Sequence, residues 1–380
     1  MAEKNIYIGL MSGTSADGID AAAVEIEGGY EHPRVRLAAY ESFSYPAEVR
    51  EQIFALFNPE NATSDVLSRM NFLLGKLYGE AANRLIDMHG IDRGRIAAIG
   101  SHGQTVYHEP DGDVPNTLQI GEGSVIARLT GLTCVSDFRT ADIAAGGNGA
   151  PLVPFTEYAL FAHKEKSVIL QNIGGIANST VLFAGCRAEE VFAFDNGPGN
   201  MIIDGLMDHF FGKEMDSGGA VAATGKVCHA LLDSLMEEPY YKKAPPKTTG
   251  RELFGKAYLK GILDKAEGLC PEDVIATVTA LTARVIGESY RDFVLPRGKV
   301  DELIVGGGGS YNPTLMGFLK EYMSAYGVEV YTQEDKGQSS DAKEAVAFAL
   351  LAYYTMAGLP SNLPTATGAR YPAVLGKISL

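Results

Sequence analysis

The chain opens on an apolar run, Ile6–Met11, which breaks at Ser12-Gly13-Thr14-Ser15-Ala16-Asp17-Gly18 and resumes from Ile19 to Ile26. Short apolar runs on either side of a small-residue break predict two β-strands, over 5–10 and 19–26, joined by a turn. Val35–Phe43 continues as a third strand, completing an antiparallel meander. The period then changes. Val66, Met70, Leu73, Leu74, Leu77, Ala81, Leu85 and Met88 recur at helical spacing from Ser64 to about Gly90, with Thr63, Ser64 or Asp65 available as a cap. A strand over 96–100 follows and runs into Ser101-His102-Gly103-Gln104-Thr105.

The opening pattern returns about 160 residues later. Ser167–Ile173 is an apolar strand, Gly174-Gly175-Ile176-Ala177-Asn178-Ser179 a small-residue turn, and Thr180–Phe183 and Val191–Phe194 are further strands before a helix over 199–211. Strand, glycine turn, strand, strand, helix thus occurs twice, which predicts two similarly folded α/β domains, 1–155 and 156–380. A return of the last helix onto the first domain stays open. The second half carries a helix-rich insertion, roughly 216–268, with a turn at Ala244-Pro245-Pro246-Lys247. A long helix over about 272–293, a strand over 302–305, the tetraglycine Gly306–Gly309 and a helix from Pro313 come next. Strand 328–332 and helix 342–356 close the pattern.

Composition sharpens this. A chain of 380 residues is long for one core and agrees with two domains. The net charge of −15 argues against a general nucleic-acid or anionic-membrane partner, because phosphate contact needs a basic surface. An acidic protein must bind phosphate locally, with backbone amides and a metal ion. Cys134, Cys186, Cys228 and Cys270 are scattered, with no CxxC pair, and read as thiols of a reducing compartment. The first residues lack the pattern of a signal peptide and no apolar run is long enough to span a bilayer, so a cytoplasmic protein is expected.

The turn carrying Gly13, Thr14, Ser15 and Gly18 can bring several backbone N–H groups to one point, a nest for phosphate oxygens. A plain hairpin turn is the alternative. It is neither a Walker loop nor a Rossmann fingerprint, since G-x-x-x-x-G-K-[ST] is absent and a strand follows. Asn172-Ile173-Gly174-Gly175-Ile176-Ala177-Asn178 is a second such turn, and Gly306–Asn312 offers a third bare surface, suited to adenine and ribose. Together they predict a nucleotide in an interdomain cleft.

GLMSGTSADGID, SHGQT, QIGEG, SDFRTADIAAGGNGAPLVP, NIGGIAN, FDNGPGN and VGGGGSYN, in that order, closely resemble the anhydro-N-acetylmuramic acid kinases, with the likeness running from Asn5 to the closing NLPTATGA. The resemblance implies a two-domain actin-like ATPase fold, of ribonuclease H-like topology. It also implies a kinase that uses ATP, Mg²⁺ and water to open the 1,6-anhydro bridge of the sugar and phosphorylate its 6-oxygen, a step in recycling cell-wall peptidoglycan. A homodimer is the family expectation.

The implied nucleotide contacts are Gly13, Thr14, Ser15, Ala16, Asp17, Gly18, Ile19 and Asp20; Asn172, Gly174, Gly175 and Asn178; Gly197, Gly199 and Asn200; and Gly307, Gly308, Gly309 and Asn312. Asp195, at the end of a strand before a helix, is the expected base for the attacking water; capping that helix is its alternative role. Asn196 departs from the family's threonine. The sugar is expected against Ser101, His102, Gly103, Gln104, Thr105, Gln119, Gly121, Asp137, Arg139 and Asp142. Arg139 is expected to help place the lactyl carboxylate, with an ion pair to Asp137 or Asp142 as its alternative; His102 has a core hydrogen-bonding role as its alternative. Glu344 is the candidate for organising Mg²⁺ through water, ahead of Asp17 and Asp20; an ordinary acidic residue at a helix start is the other reading. The rival functions are a hydroxyl-directed sugar kinase, an ATPase switch protein and a sugar-sensing regulator.

Overall fold

The computed structural model describes residues 4–380. The chain forms two compact units, one comprising the chain through Leu160 together with Asp341–Leu380, the other Phe161–Ser340. Strands are numbered here in chain order, β1 to β13.

In the first unit, β1 (Ile6–Met11), β2 (Gly18–Glu27), β3 (Arg34–Ser44), β4 (Ile96–Ser101), β7 (Cys134–Ser136) and β13 (Lys377–Ser379) form a sheet of order β13-β7-β4-β1-β2-β3. β2 runs antiparallel to β1 and β3, while β4 runs parallel to β1 and β7. The central strand β1 is buried at every position, as its unbroken apolar run requires. Helix Ser64–His89 buries Met70, Leu74, Tyr78, Ala81, Ala82, Leu85 and Ile86 and ends at Gly90 in the left-handed conformation. A separate hairpin, β5 (Gln104–Glu109) and β6 (Asn116–Ile120), takes in residues whose polarity predicts turns. Gln104, Thr105 and Gln119 therefore lie on strands, because the ladder pairs backbone groups whatever the side chains are.

The second unit repeats the plan with β8 (Val168–Ile173), β9 (Ile176–Leu182), β10 (Phe192–Pro198), β11 (Glu302–Gly306) and β12 (Glu329–Thr332), in the order β10-β9-β8-β11-β12. β8 pairs antiparallel with β9 and parallel with β11, and β11 pairs parallel with β12. Strand order 3-2-1-4-5 with strand 2 antiparallel is the ribonuclease H-like arrangement, and the chain builds it twice. The insertion is helical, as the sequence predicts; its Leu231, Leu232, Leu235, Tyr241 and Phe254 share a core with helices Asn200–Phe211 and Pro271–Phe293.

Two glycines lay the C-terminal helix Lys343–Met356 on the first sheet. Gly9 on β1 and Gly100 on β4 are register partners. A Cβ on Gly9 would stand 1.7 Å from the Ala345 carbonyl oxygen, and one on Gly100 2.1 Å from that of Phe348. Only bare backbone on adjacent strands allows the helix this close. No helix among the described residues is long and apolar enough to cross a membrane.

Candidate active site

The first glycine turn joins β1 to β2 and is closed by a bond from Ala16 N–H to the Gly13 carbonyl. Thr14 and Ser15 are exposed at its tip. Gln104 braces it from β5: its Oε1 accepts from the buried Ser12 hydroxyl at 2.8 Å, and its Nε2 donates to the Gly13 carbonyl at 3.1 Å. Asp17 at the turn's end receives Arg50 at 2.9 Å, and Asp20 receives the Tyr40 hydroxyl at 2.9 Å. A Cβ on Gly13 would meet nothing nearer than Ser15 Oγ at 3.9 Å, so no internal packing demands a glycine there. The space suits a ligand that approaches the backbone closely.

In the second unit, the spaced glycine motifs converge. Gly174 and Gly175 join β8 to β9, and their carbonyls accept the N–H groups of Gly199, Asn200 and Met201, which begin helix Asn200–Phe211. A Cβ on Gly199 would lie 2.3 Å from the Gly174 carbonyl oxygen. Gly307, with φ of 80°, and Gly309 press on Asn172 and Ile173, and Gly308 faces the Asn200 amide. Asn312 departs from this cluster: its side chain caps helix Pro313–Ser324 by accepting from Leu315 N–H at 3.0 Å. Gly197, with φ of 157°, packs against Tyr241 and Val285.

Asp195 lies within β10, which continues to Pro198 rather than ending at the aspartate. Its register partner on β9 is Asn178, whose own partner on β8 is Asn172, so the three polar residues form a row across the sheet beside the glycine turn. A bulge at Asn196 then shifts the ladder. Asn196 faces the opposite way, fully buried, donating to Ser289 Oγ at 2.7 Å and accepting from Ser179 Oγ at 2.8 Å. The amide in place of the usual threonine is thus absorbed by a matched interior network.

Asp195 does not cap the helix, whose N-cap is Gly199. One carboxylate oxygen accepts from Thr249 N–H at 2.9 Å, its own N–H donates to the Lys247 carbonyl, and its carbonyl accepts from the Tyr240 hydroxyl. Burial pushes the carboxyl above the ordinary aspartate range; the Thr249 N–H opposes this, Glu252 adds to it and Lys247 opposes it. Lys247 is itself 2% exposed, ringed by Tyr240, Phe293 and Phe194, and burial pulls its amine down to about 8. Residues 240–249 are missed by sequence reading, since only the tertiary fold brings the insertion back to β10. The buried Thr249 hydroxyl has no hydrogen-bond partner among the described residues.

The expected sugar residues divide into two groups. Ser101, His102, Gly103, Gln119, Gly121 and Asp137 line a cavity of about 700 Å³ in the first unit, joined by Asn71, Glu122, Thr140 and Lys377. Asp137, with φ of 59°, is a left-handed residue at the mouth of helix Phe138–Ala144 and pairs with Lys377. Gln104 and Asp142 are buried, Thr105 and Arg139 partly so, and none of the four lines this cavity. Arg139 donates to His102 Nε2 at 2.9 Å and to the Gly149 carbonyl at 2.8 Å rather than pairing with Asp137. Asp142 is fully buried, accepting from Gly149 N–H, Asn362 and Thr367, and so ties the NLPTATG segment to the loop after its helix. His102 is held neutral, its imidazole pulled to about 3 by burial and by the Arg139 charge.

Glu344, in the first turn of the C-terminal helix, is pushed above the usual carboxylate range chiefly by burial, with Lys343 and Arg139 opposing and the Asp20 charge adding. Glu344 keeps access to solvent and feels the Asp20 charge, so the two carboxylates are hard-oxygen donors of the kind Mg²⁺ prefers. No group of three or more His, Cys, Asp or Glu side chains that could hold a metal ion exists among the described residues.

A sequence model of the family described as anhydro-N-acetylmuramic acid kinase matches residues 5–380. The anhydro-N-acetylmuramic acid kinase of Caldanaerobacter subterraneus subsp. tengcongensis is 50% identical, covering 100% of this chain and 98% of the relative. Those of Clostridioides difficile and Francisella tularensis subsp. novicida are 44% and 42% identical, covering 98% and 100% of this chain and 97% and 100% of the relatives. With likeness along the whole chain and every motif in its expected order, this chain belongs to the anhydro-N-acetylmuramic acid kinase family.

Proposed function

We propose that the protein uses ATP and water to convert 1,6-anhydro-N-acetylmuramic acid to N-acetylmuramic acid 6-phosphate and ADP. The observation that carries this reading is Asp195, which stands in register with Asn178 and Asn172 at the glycine turn. The 6-oxygen of an anhydrosugar is tied to the anomeric carbon and has no proton to remove. An ordinary hydroxyl-directed kinase mechanism therefore fails, and the base must act on water instead.

Asp195 takes a proton from that water as its oxygen bonds to the anomeric carbon. The anomeric carbon–O6 bond breaks, its electron pair stays on O6, and O6 attacks the γ-phosphorus while ADP leaves with the bridging electrons. The Thr249 N–H fixes the carboxylate's direction. Within the first unit, the Gly13–Asp20 turn offers N–H groups for phosphate oxygens and the cavity of about 700 Å³ offers room for the sugar; within the second, the Gly174–Gly175 turn offers a bare backbone surface for phosphate beside Asp195. Mg²⁺, organised through water by Glu344 with Asp20 nearby, would offset charge on the β and γ oxygens.

The chain's acidity and its family argue against a nucleic-acid role. Incubation with ATP, Mg²⁺ and the anhydrosugar in ¹⁸O-water tests the chemistry. One label at the anomeric hydroxyl of a 6-phosphorylated product is expected; unlabelled product means that water does not open the bridge.

A further inference from the structure

β10 is the outer strand of the second sheet, so its side away from β9 has no strand to pair with. At Asp195 that side is taken by residues 240–249. The Asp195 N–H donates to the Lys247 carbonyl at 3.1 Å, and its carbonyl accepts from the Tyr240 hydroxyl at 3.0 Å. One carboxylate oxygen accepts from Thr249 N–H at 2.9 Å. A single strap thus sets both the backbone and the carboxylate of this residue.

The strap has little of its own to hold it. From Lys243 to Gly250 it forms neither helix nor strand, and Lys247 is its one buried residue. That side chain turns back to where the strap begins. Its Nζ lies 3.3 Å from the Tyr241 carbonyl oxygen and 3.4 Å from that of Tyr240. The ring centroids of Tyr240, Phe293 and Phe194 stand 4.8, 5.1 and 6.0 Å from it.

A cage of three rings is an unfavourable place for a cation. The polar partners are two carbonyls at long range rather than a carboxylate. Burial pulls the amine down to about 8, although Asp195 and Asp292 favour its charge; Lys243 disfavours it. A well-packed apolar side chain commonly replaces such a charge with no loss of stability. Packing alone therefore gives no reason for a lysine here. Asp195 gives one: the Lys247 charge favours its ionised form, against burial and the Glu252 charge.

We propose that Lys247 is a positioning residue for the base: its caged ammonium pins the strap that aims the Asp195 carboxylate and sets a positive charge near it, although this lowers the stability of the fold. The proposal rests on the reading of Asp195 as the base that acts on water.

Lys247→Met is the test, read in stability and in kinetics. Below about pH 8 Lys247 is protonated folded and unfolded alike, and its buried charge opposes folding in full. That opposition is relieved as the pH rises from about 8 toward the unfolded value of about 10.4. The methionine variant lacks it, so at pH 7 its melting temperature should equal or exceed that of the wild type. Between about pH 8 and 10 the wild type should gain stability relative to the variant. Plateau kcat of the variant should nonetheless fall about tenfold or more, with KM for ATP and for the anhydrosugar unchanged. Its acid limb should move to higher pH. Lys247→Arg keeps the charge and should leave that limb near its wild-type position. Lys247→Gln repeats the kinetic comparison if the methionine variant does not fold.

Spectra of protein carrying ¹³C at lysine Cε should show one amine titrating near pH 8, absent from Lys247→Met. Wild-type kcat with an unmoved acid limb in the uncharged variants overturns the positioning role. A methionine variant that loses stability and activity together makes Lys247 a packing residue and overturns it as well. Turnover that survives Asp195→Asn overturns the reading of the base instead.

Discussion

The two glycine turns look alike in sequence and are supported by different means. The first, between β1 and β2, is held from the side by side chains: Gln104 takes the Ser12 hydroxyl and reaches the Gly13 carbonyl, and Arg50 reaches Asp17. The second, between β8 and β9, is held by backbone: its carbonyls accept the first N–H groups of the helix that follows β10. The tip of the first turn, Gly13 to Ser15, can thus shift at the cost mainly of side-chain bonds. The second cannot move without disturbing the strand and helix that flank Asp195. On the proposed function, the first design suits a nest that grips and releases phosphate, and the second one that fixes a reacting geometry.

The largest expected effect sharpens that contrast at the chemistry. Asp195→Asn should keep the melting temperature near that of the wild type and lose about 10³-fold or more in turnover, as loss of a general base does. Near-normal turnover would remove Asp195 from the reaction. Next, Gly199→Ala should destabilise the second unit by about 3 kcal/mol, because its Cβ would lie 2.3 Å from the Gly174 carbonyl oxygen. Equilibrium unfolding in urea measures this, and a fully stable variant would break the backbone-support argument.

Gln104→Ala should raise KM for ATP about tenfold with a stability loss of about 1–2 kcal/mol, the scale of two lost hydrogen bonds. Gly13→Ala should be milder still in the fold, within about 1 kcal/mol, since its Cβ enters open space; KM for ATP should nonetheless rise. A variant with unaltered ATP binding would turn the first turn back into a plain hairpin.

The smallest effect is on pH dependence. In the proposed role Asp195 must be ionised, so turnover should fall as the pH drops through its raised pKa. Lys247 favours the carboxylate and Glu252 disfavours it, so Lys247→Met should move the acid limb of the kcat profile to higher pH and Glu252→Gln to lower pH. The other charges about Lys247 are Lys243 and Asp292, which also set its own amine. Limbs that stay put in both variants would assign the acid limb to a different group.

The sequence by itself determined both meanders, both glycine turns, the long helices 64–89 and 271–293 and the ordered motifs, because apolar period and small-residue breaks are local properties. It could not show that Arg139 bonds to His102 and the Gly149 carbonyl instead of pairing with Asp137, since a guanidinium between two carboxylates reads as an ion pair until its neighbours are known. Nor could it bring Lys247 and Thr249 to Asp195, about fifty residues away along the chain. The β5–β6 hairpin was hidden because its pairing is carried by backbone under polar side chains. The resting place of the last helix was written in Gly9 and Gly100, yet each alone is an ordinary strand glycine. Only their pairing across β1 and β4 opens the bare surface on which Ala345 and Phe348 can lie. Close approach is a relation between distant segments, and the tertiary structure alone decides which segments meet.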